Sequence, residues 1–220
     1  IEADACVTDP PYGVTSLQGD RPVDRWTDLV RAPSLWCFGA MRFFMGQAFD
    51  GWTYAQEVIW EKHNGSNSMA DRFRRLHEIA VHFYRGTWAD LYKSPVTTAD
   101  ATARSVRRKK RPPHWNDIGG HHYESQDGGP RLMGSVIYAR SCHGYAVHET
   151  QKPVDVLTPL IEYSCPPAGL VVDPFGGSFS TGVAALMSGR RFVGIEIDPA
   201  RFEVGCQNLE QSLRQQRLFA

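Results

Sequence analysis

The stretch LVVDPFGGSFSTGVAALMSGRRFVGIEID (170–198) decides the fold. Its apolar start, which ends at Asp173, predicts a buried strand, and a loop rich in glycine follows. Small residues in TGVAALMSGR (181–190) predict a helix, and RFVGIEID (191–198) predicts a second strand with an acidic end. A strand, a glycine-rich loop, a helix and another strand form the βαβ unit of a parallel, doubly wound α/β sheet.

The glycine-rich loop also predicts a nucleotide-type cofactor. Glycines let the backbone approach such a ligand, and an acid about 20 residues later accepts hydrogen bonds from ribose hydroxyls. Glu196 lies 19 positions after Gly177. Asp173 precedes the loop, where a carboxylate is unfavourable beside a pyrophosphate but suits an ammonium group, so the pattern favours S-adenosylmethionine over NAD. A glycine turn that only joins a strand to a helix is the alternative.

Short apolar segments predict the rest of the sheet and its helices. Asp198 is predicted to cap a C-terminal helix, with Pro199 in the first turn, where a missing N–H is harmless. Strands are predicted at 5–8, 34–40, 57–62 and 78–86, and further helices at 69–77 and 153–164.

Residues 87–145 differ from the flanking sequence, because apolar periodicity fades and Ser, Thr, Gly, Pro and His dominate. This composition predicts an insertion between two halves of one core, 1–86 and 146–220. A run of cations within the insertion could neutralise the phosphates of a nucleic acid, and a solvated charged loop is the alternative. These cations are Arg104, Arg107, Arg108, Lys109, Lys110 and Arg111.

The block TDPPYG (8–13) follows the first predicted strand and is too rich in proline for a helix or a strand interior. Methylating an exocyclic amine is difficult because the nitrogen lone pair is delocalised into the base. The Asp9 carboxylate and the Pro10 carbonyl can accept the amine hydrogens, while Pro11 keeps the corner stiff. Tyr12 offers a flat face on which an everted base can stack. A plain turn with Tyr12 in the core is the alternative.

A further block, HETQKP (148–153), precedes the helix predicted at 153–164. Thr150 and Lys152 supply a hydroxyl and a cation that suit the carboxylate of a cofactor. A helix N-terminus with Thr150 as its cap is the alternative.

These blocks, with DPFGGSFSTG (173–182) and GIEID (194–198), resemble the signature blocks of the S-adenosylmethionine-dependent amino-methyltransferases of DNA. Their order, with the DPPY block first and the cofactor loop near the C-terminus, is similar to the circularly permuted beta class. The target-recognition segment of that class lies between the two blocks. The resemblance covers the chain outside residues 87–135.

The resemblance implies a Rossmann-like methyltransferase sheet and transfer of a methyl group to the N6 amine of a flipped adenine in a specific sequence of double-stranded DNA. Members of this family often form dimers, so the resemblance also implies a homodimer as one oligomeric state. The implied catalytic residues are Asp9, Pro10, Pro11 and Tyr12, and the implied cofactor-binding residues are Thr150, Lys152, Asp173, Phe175, Gly177, Ser178, Thr181 and Glu196.

Three alternatives remain beside this resemblance. N4-cytosine methyltransferases more often carry serine where Asp9 stands, and protein-amide methyltransferases usually carry asparagine there. A catalytically silent DNA-binding protein is the third alternative, because Phe179 replaces a glycine of the usual G-S-G-T-T loop. We expect a side chain at that position to narrow the cofactor pocket.

The composition indicates the cellular compartment but not the binding partner. Lys and Arg total 24 and Asp and Glu total 24, so overall charge does not identify a partner. Five scattered cysteines without a CxxC pair predict a cytoplasmic protein, and we expect no metal site at His121, His122, Cys142 and His143. No apolar run approaches the length of about 20 residues that a helix needs to span a membrane. The start at Ile1 indicates that residues upstream are missing.

Overall fold

The computed structural model describes residues 1–13, 21–66, 71, 73–108, 121–140 and 151–219. Strands and helices in these ranges follow one another as β1 (Ala5–Thr8), β2 (Ser34–Gly39), α1 (Met41–Gly46), β3 (Thr53–Ser66), β4 (Arg75–Tyr84), β5 (Thr97–Thr98), β6 (Arg104–Arg108), β7 (His121–Ser125), β8 (Arg131–Leu132), β9 (Val136–Tyr138), α2 (Val154–Ser164), β10 (Leu170–Asp173), α3 (Ser180–Met187), β11 (Arg191–Gly194) and α4 (Pro199–Phe219).

Within the described residues, seven strands form the main sheet in the order β11-β10-β1-β2-β4-β3-β9. The strands β11, β10, β1 and β2 are parallel. The long β3–β4 hairpin extends the sheet with antiparallel pairs, and β9 then pairs parallel to β3. The predicted α/β sheet is confirmed, although its second half is mixed rather than parallel.

The centre of the sheet is apolar because it is covered on both faces. Cys6 of β1 lies between Val172 of β10 and Leu35 of β2. All of β1 and β2 is buried, which is typical of strands that carry helices or loops on both sides. Helix α2 packs on β1 and α3, and α3 packs on β10, β11 and α4. The helix cap predicted at Asp198 is confirmed, since its Oδ1 accepts from the Ala200 N–H at 2.9 Å.

The β3–β4 hairpin corrects the helix predicted at 69–77. Arg75–His77 lie in β4, where His77 pairs with Glu61 and Glu78 pairs with Trp60. The local helical spacing was misleading because cross-strand pairing along the hairpin stabilises the extended backbone. Strand β3 is also longer than predicted, and β11 ends at Gly194, so Glu196 lies beyond the strand rather than within it.

The chain divides into two compact units, Ile1–Ser94 with Ser135–Ala220, and Pro95–Gly134. The second unit contains two short antiparallel pairs, β5 with β8 and β6 with β7. The division falls inside the predicted insertion 87–145. Residues 87–94 and strand β9, which were predicted to lie in the insertion, therefore belong to the same unit as the main sheet. None of the helices in the described ranges is both long and apolar enough to cross a membrane.

Candidate active site

The DPPY block lies at the carboxyl end of β1. Asp9 follows that strand directly, and both oxygens of its carboxylate have a partner. The Tyr12 hydroxyl donates to Oδ1, and the Lys152 ammonium donates to Oδ2. The Tyr12 ring lies 5.0 Å from the Phe43 ring of α1, measured between centroids. Burial raises the pKa of Asp9, and Lys152 opposes that rise.

Asp9 belongs to a cluster of four charges, which we call the charge cluster: Asp9, Lys152, Glu78 and Lys62. The Lys152 ammonium lies 3.4 Å from Glu78 Oε2, and the Lys62 ammonium donates to Glu78 Oε1. Burial alone raises the pKa of Glu78, but Lys152 and Lys62 outweigh burial and lower it to about 2. Burial lowers the pKa of Lys152, but Asp9 and Glu78 outweigh burial and raise it. Glu78 and Lys152 are therefore both ionised near neutral pH.

Aromatic rings support both lysines of the charge cluster. The Lys62 ammonium lies 4.5 Å from the centroid of the Trp60 ring, and the Lys152 ammonium lies 5.3 Å from that of Phe38. The Lys152 side chain is only 9% exposed. Ring faces attract cations most strongly where water is excluded, so the Phe38 ring stabilises the Lys152 ammonium.

The predicted cofactor loop begins at the end of β10, beside the DPPY block. Asp173 is buried, and its Oδ1 accepts from the Thr8 hydroxyl at 2.6 Å and from the Phe175 N–H at 3.1 Å. Burial raises the pKa of Asp173 to about 6, although bonds from Thr8 and Thr181 lower it in part. Since Thr8 immediately precedes Asp9, this bond ties the two predicted site blocks together.

Glu196 closes the other side of the loop. Its Oε2 accepts from the Gly177 N–H at 2.8 Å, and its Oε1 accepts from the Asp198 N–H at 2.9 Å. Gly177 has a φ of 54°, a left-handed backbone that favours glycine. A Cβ built at Gly177 would meet no atom within 4 Å, so the backbone there borders open space. Carboxylate oxygens with one donor each can still accept from ligand hydroxyls.

Three further predicted cofactor residues lie along the same loop and the start of α3. Ser178 and Thr181 are buried, and the Ser178 carbonyl accepts from Asn208 of α4 at 2.9 Å. The Phe175 ring packs edge-on against Trp26, with centroids 5.4 Å apart. These contacts attach the loop to the core on both sides.

Phe179 does not narrow the loop as expected, because its ring is turned into the core and is 2% exposed. Its backbone is left-handed, with a φ of 55°. A Cβ at Gly176, Gly194 or Gly205 would lie 2.3, 2.7 or 2.5 Å from the Phe179 ring. The three glycines therefore create the space that the ring fills, between the loop, β11 and α4.

The basic run of the insertion is only partly described. Arg104, Arg107 and Arg108 lie on β6, which pairs antiparallel with β7 in a register that matches the backbone of Arg107 with that of His122 and the backbone of Arg108 with that of His121. The described part of the run is thus a strand of a hairpin. Lys109, Lys110 and Arg111, together with Thr150 of the HETQKP block, lie outside the described residues.

Comparison with known proteins decides the family. The family model N6_N4_Mtase, described as DNA methylase, matches residues 17–206. This chain belongs to the N6/N4 DNA methylase family. The resemblance predicted from the signature blocks is confirmed, and TDPPYG (8–13) lies just before the matched range.

Relatives of this methylase include the DNA adenine methyltransferase YhdJ of Escherichia coli (strain K12), which is 46% identical over 66 residues. That match covers 30% of this chain and 22% of YhdJ. The chain spans less than half the length of the curated relatives it matches.

Solved methyltransferases share the fold of this methylase. The M1.HpyAVI complex with S-adenosylmethionine has a TM-score of 0.61 at 22% identity, covering 95% of this chain and 89% of that one. The PvuII DNA methyltransferase, which is cytosine-N4-specific, has a TM-score of 0.59 at 15% identity, covering 94% and 79%. The predicted methyltransferase sheet is confirmed, as is S-adenosylmethionine as the cofactor of the family.

Glu78 and Lys62 of this methylase were not predicted as site residues. The sequence signal was present, because Lys62 follows Trp60 by two positions and Trp60 pairs with Glu78. A lysine and a glutamate at that diagonal spacing are neighbours on one face of a hairpin. The helix predicted at 69–77 concealed the register. Within the described residues, no group of three or more His, Cys, Asp or Glu side chains could hold a metal ion.

Proposed function

We propose that this chain forms the catalytic core of a DNA methyltransferase that modifies the N6 amine of a flipped adenine in a specific double-stranded sequence. The observation that carries the proposal is the bond of 2.6 Å between Thr8 and Asp173. It joins the ends of two neighbouring parallel strands, one leading into Asp9 and Pro10 and the other into the glycine loop. In open α/β sheets, ligands bind beyond these carboxyl ends.

The residues of the glycine loop fit S-adenosylmethionine. The open backbone at Gly177 and the Glu196 carboxylate suit a ribose, whose hydroxyls would donate to the free lone pairs of Glu196. Asp173 suits the ammonium group of the amino-acid end, with Phe175, Ser178 and Thr181 completing the loop. When bound, the cofactor supplies an electrophilic methyl group attached to a sulfonium.

Asp9 and Pro10 would act on the target amine. An ionised Asp9 carboxylate and the Pro10 carbonyl accept the two amine hydrogens and free the nitrogen lone pair for attack on the methyl carbon. Tyr12 now donates to Asp9, so a base that takes this place would release the phenol ring to stack on it. Positioning and charge stabilisation would supply most of the catalysis, because the methyl donor is already reactive.

Adenine is favoured over cytosine by the residue at position 9 and by the similarity to YhdJ, which is named a DNA adenine methyltransferase. The acidic Asp9 follows the pattern of adenine enzymes, whereas cytosine-N4 enzymes more often have serine there.

DNA would be held by the Pro95–Gly134 unit through the cations of β6. Free cysteines at Cys6, Cys37, Cys165 and Cys206 are consistent with a reducing cytosol.

Incubation of the chain with unmethylated plasmid DNA and radiolabelled S-adenosylmethionine tests the proposal. We expect N6-methyladenine in the digested nucleosides by mass spectrometry, and long-read sequencing should show it in one sequence context. N4-methylcytosine alone would refute the choice of adenine. A chain that binds S-adenosylhomocysteine but modifies no base would refute the DNA methyltransferase itself.

A further inference from the structure

The charge cluster contains two carboxylates and two ammonium groups that meet from separate elements. Asp9 follows β1, Glu78 lies on β4, Lys62 lies on β3 and Lys152 precedes α2. We propose that Lys152 is a positioning residue that keeps Asp9 ionised and oriented towards the target amine, and that Glu78 is a positioning residue that holds Lys152 in place. This inference rests on the proposed function and adds two residues to it.

Lys152 is the cation in direct contact with Asp9. Asp9 is partly buried, and burial favours the neutral acid, which accepts a hydrogen bond from the amine more weakly than the carboxylate does. The Lys152 ammonium donates to Oδ2 and leaves Oδ1 to Tyr12, so the plane of the carboxylate is fixed from one side. Of these two contacts, the one that a target amine would replace is therefore the hydrogen bond from the Tyr12 hydroxyl.

Glu78 holds Lys152 in that position. Its Oε2 lies 3.4 Å from the Lys152 ammonium, and its Oε1 accepts from Lys62. Glu78 stays ionised throughout the working range of an enzyme because two lysines face it. It therefore attracts Lys152 but repels the charge of Asp9, and the balance of the two effects sets how readily Asp9 ionises.

This role differs from the cofactor-carboxylate contact that the sequence predicts for Lys152. A lysine that binds two partly buried carboxylates has one donor left, and its charge is already neutralised. Removing it would then disturb Asp9 more than the cofactor. The groups that face or influence Asp9 from the packed elements are Tyr12, Cys37, Lys62, Glu78, Lys152 and Asp173.

The test compares variants whose charges change in opposite directions. Lys152→Met removes the neighbouring cation and keeps the aliphatic stem beside Phe38, whereas Glu78→Gln removes the neighbouring anion. We expect the acidic limb of kcat/KM to move up by about one pH unit in Lys152→Met and down in Glu78→Gln. Lys152→Arg should restore the wild-type limb, and the control Lys93→Gln, whose lysine contacts Trp88 and Leu91 instead, should leave it unchanged.

A second readout does not need activity. The pKa of Asp9 can be measured by carboxyl carbon NMR of the 220-residue chain, with the signal assigned by its loss in Asp9→Asn. Opposite shifts in the two charge variants support the proposal even if the wild-type chain methylates no DNA, a result that would refute only the proposed function. If Lys152→Met alone does not fold, the double variant Lys152→Met with Glu78→Gln is measured in its place.

Two results would overturn the inference. One is an unmoved Asp9 titration in both variants, together with a cofactor affinity lowered about tenfold or more in Lys152→Met, which would make Lys152 a cofactor ligand. The other is a shift in the same direction in both variants, since a change of charge cannot produce it. We expect Lys152→Met to keep the affinity for S-adenosylhomocysteine within about threefold.

Discussion

Thr8 donates a hydrogen bond of 2.6 Å to Asp173, and the two residues end adjacent parallel strands. Asp173 has no cation as a direct partner in the described structure; it is stabilised by Thr8, Thr181 and the Phe175 N–H. The residue after Thr8 is Asp9, so this buried hydroxyl, together with the pairing of β1 with β10, ties the predicted catalytic block to the predicted cofactor loop.

The first prediction concerns pH and the cofactor. The pKa of Asp173 is raised to about 6, so its carboxylate is ionised above pH 6 and increasingly neutral below it. A neutral Asp173 does not attract an ammonium group, so affinity for S-adenosylhomocysteine should fall as the pH drops through 6. Calorimetry between pH 5 and pH 8 measures this dependence, and a flat affinity would contradict the role assigned to Asp173.

Thr8→Val should move that dependence to higher pH. The Thr8 bond lowers the pKa of Asp173, so its loss raises the pKa further and weakens cofactor binding at neutral pH. Ser164→Ala is the matched control, because Ser164 also donates from a buried hydroxyl, at 2.8 Å to the Leu160 carbonyl. Equal effects of the two substitutions would mean that Thr8 contributes only to general stability.

Asp9→Ala should abolish methyl transfer while leaving cofactor affinity within about threefold. The expected loss in kcat is about 10³-fold or more, because the variant lacks the acceptor that polarises the amine. Single-turnover transfer of a radiolabelled methyl group measures the loss, and calorimetry measures the affinity. Activity retained by Asp9→Ala would remove Asp9 from its proposed role.

Phe179→Ala should lower the free energy of unfolding by about 3 kcal/mol, because it empties the space among three glycines. Gly205→Ala should also destabilise, since its Cβ would lie 2.5 Å from the Phe179 ring. In the double variant the new methyl group enters the vacated space, so the combined loss should be smaller than the sum. Urea unfolding of the four proteins checks this, and simple additivity would contradict the packing.

Neutralising Arg107, Arg108, Lys109 and Lys110 should weaken DNA binding and flatten its dependence on salt. Each lost phosphate contact lowers the slope of log affinity against log salt by about 0.9 on duplex DNA. Fluorescence anisotropy over a salt series measures the slope. Arg214→Gln, which removes an exposed cation of α4 paired with Glu210, is the control, and an unchanged slope in the quadruple variant would identify the run as a solvated loop.

The sequence by itself determined the βαβ unit around the glycine loop, the capped last helix and the membership of a methylase family. These features depend on local patterns: apolar runs, glycine and proline positions, and an acid at a fixed spacing. The strand predicted at 34–40 and the helix predicted at 153–164 were right for the same reason.

Only the tertiary structure decided the contacts that bring distant residues together. Lys152 lies 143 positions from Asp9, and Thr8 lies 165 positions from Asp173, so no local pattern relates either pair. The extended backbone at 75–77 depends on pairing with β3, and the buried ring of Phe179 depends on glycines of β11 and α4. Burial and electrostatic interactions depend on distance in space, and the order of residues along the chain does not show which distant groups become neighbours.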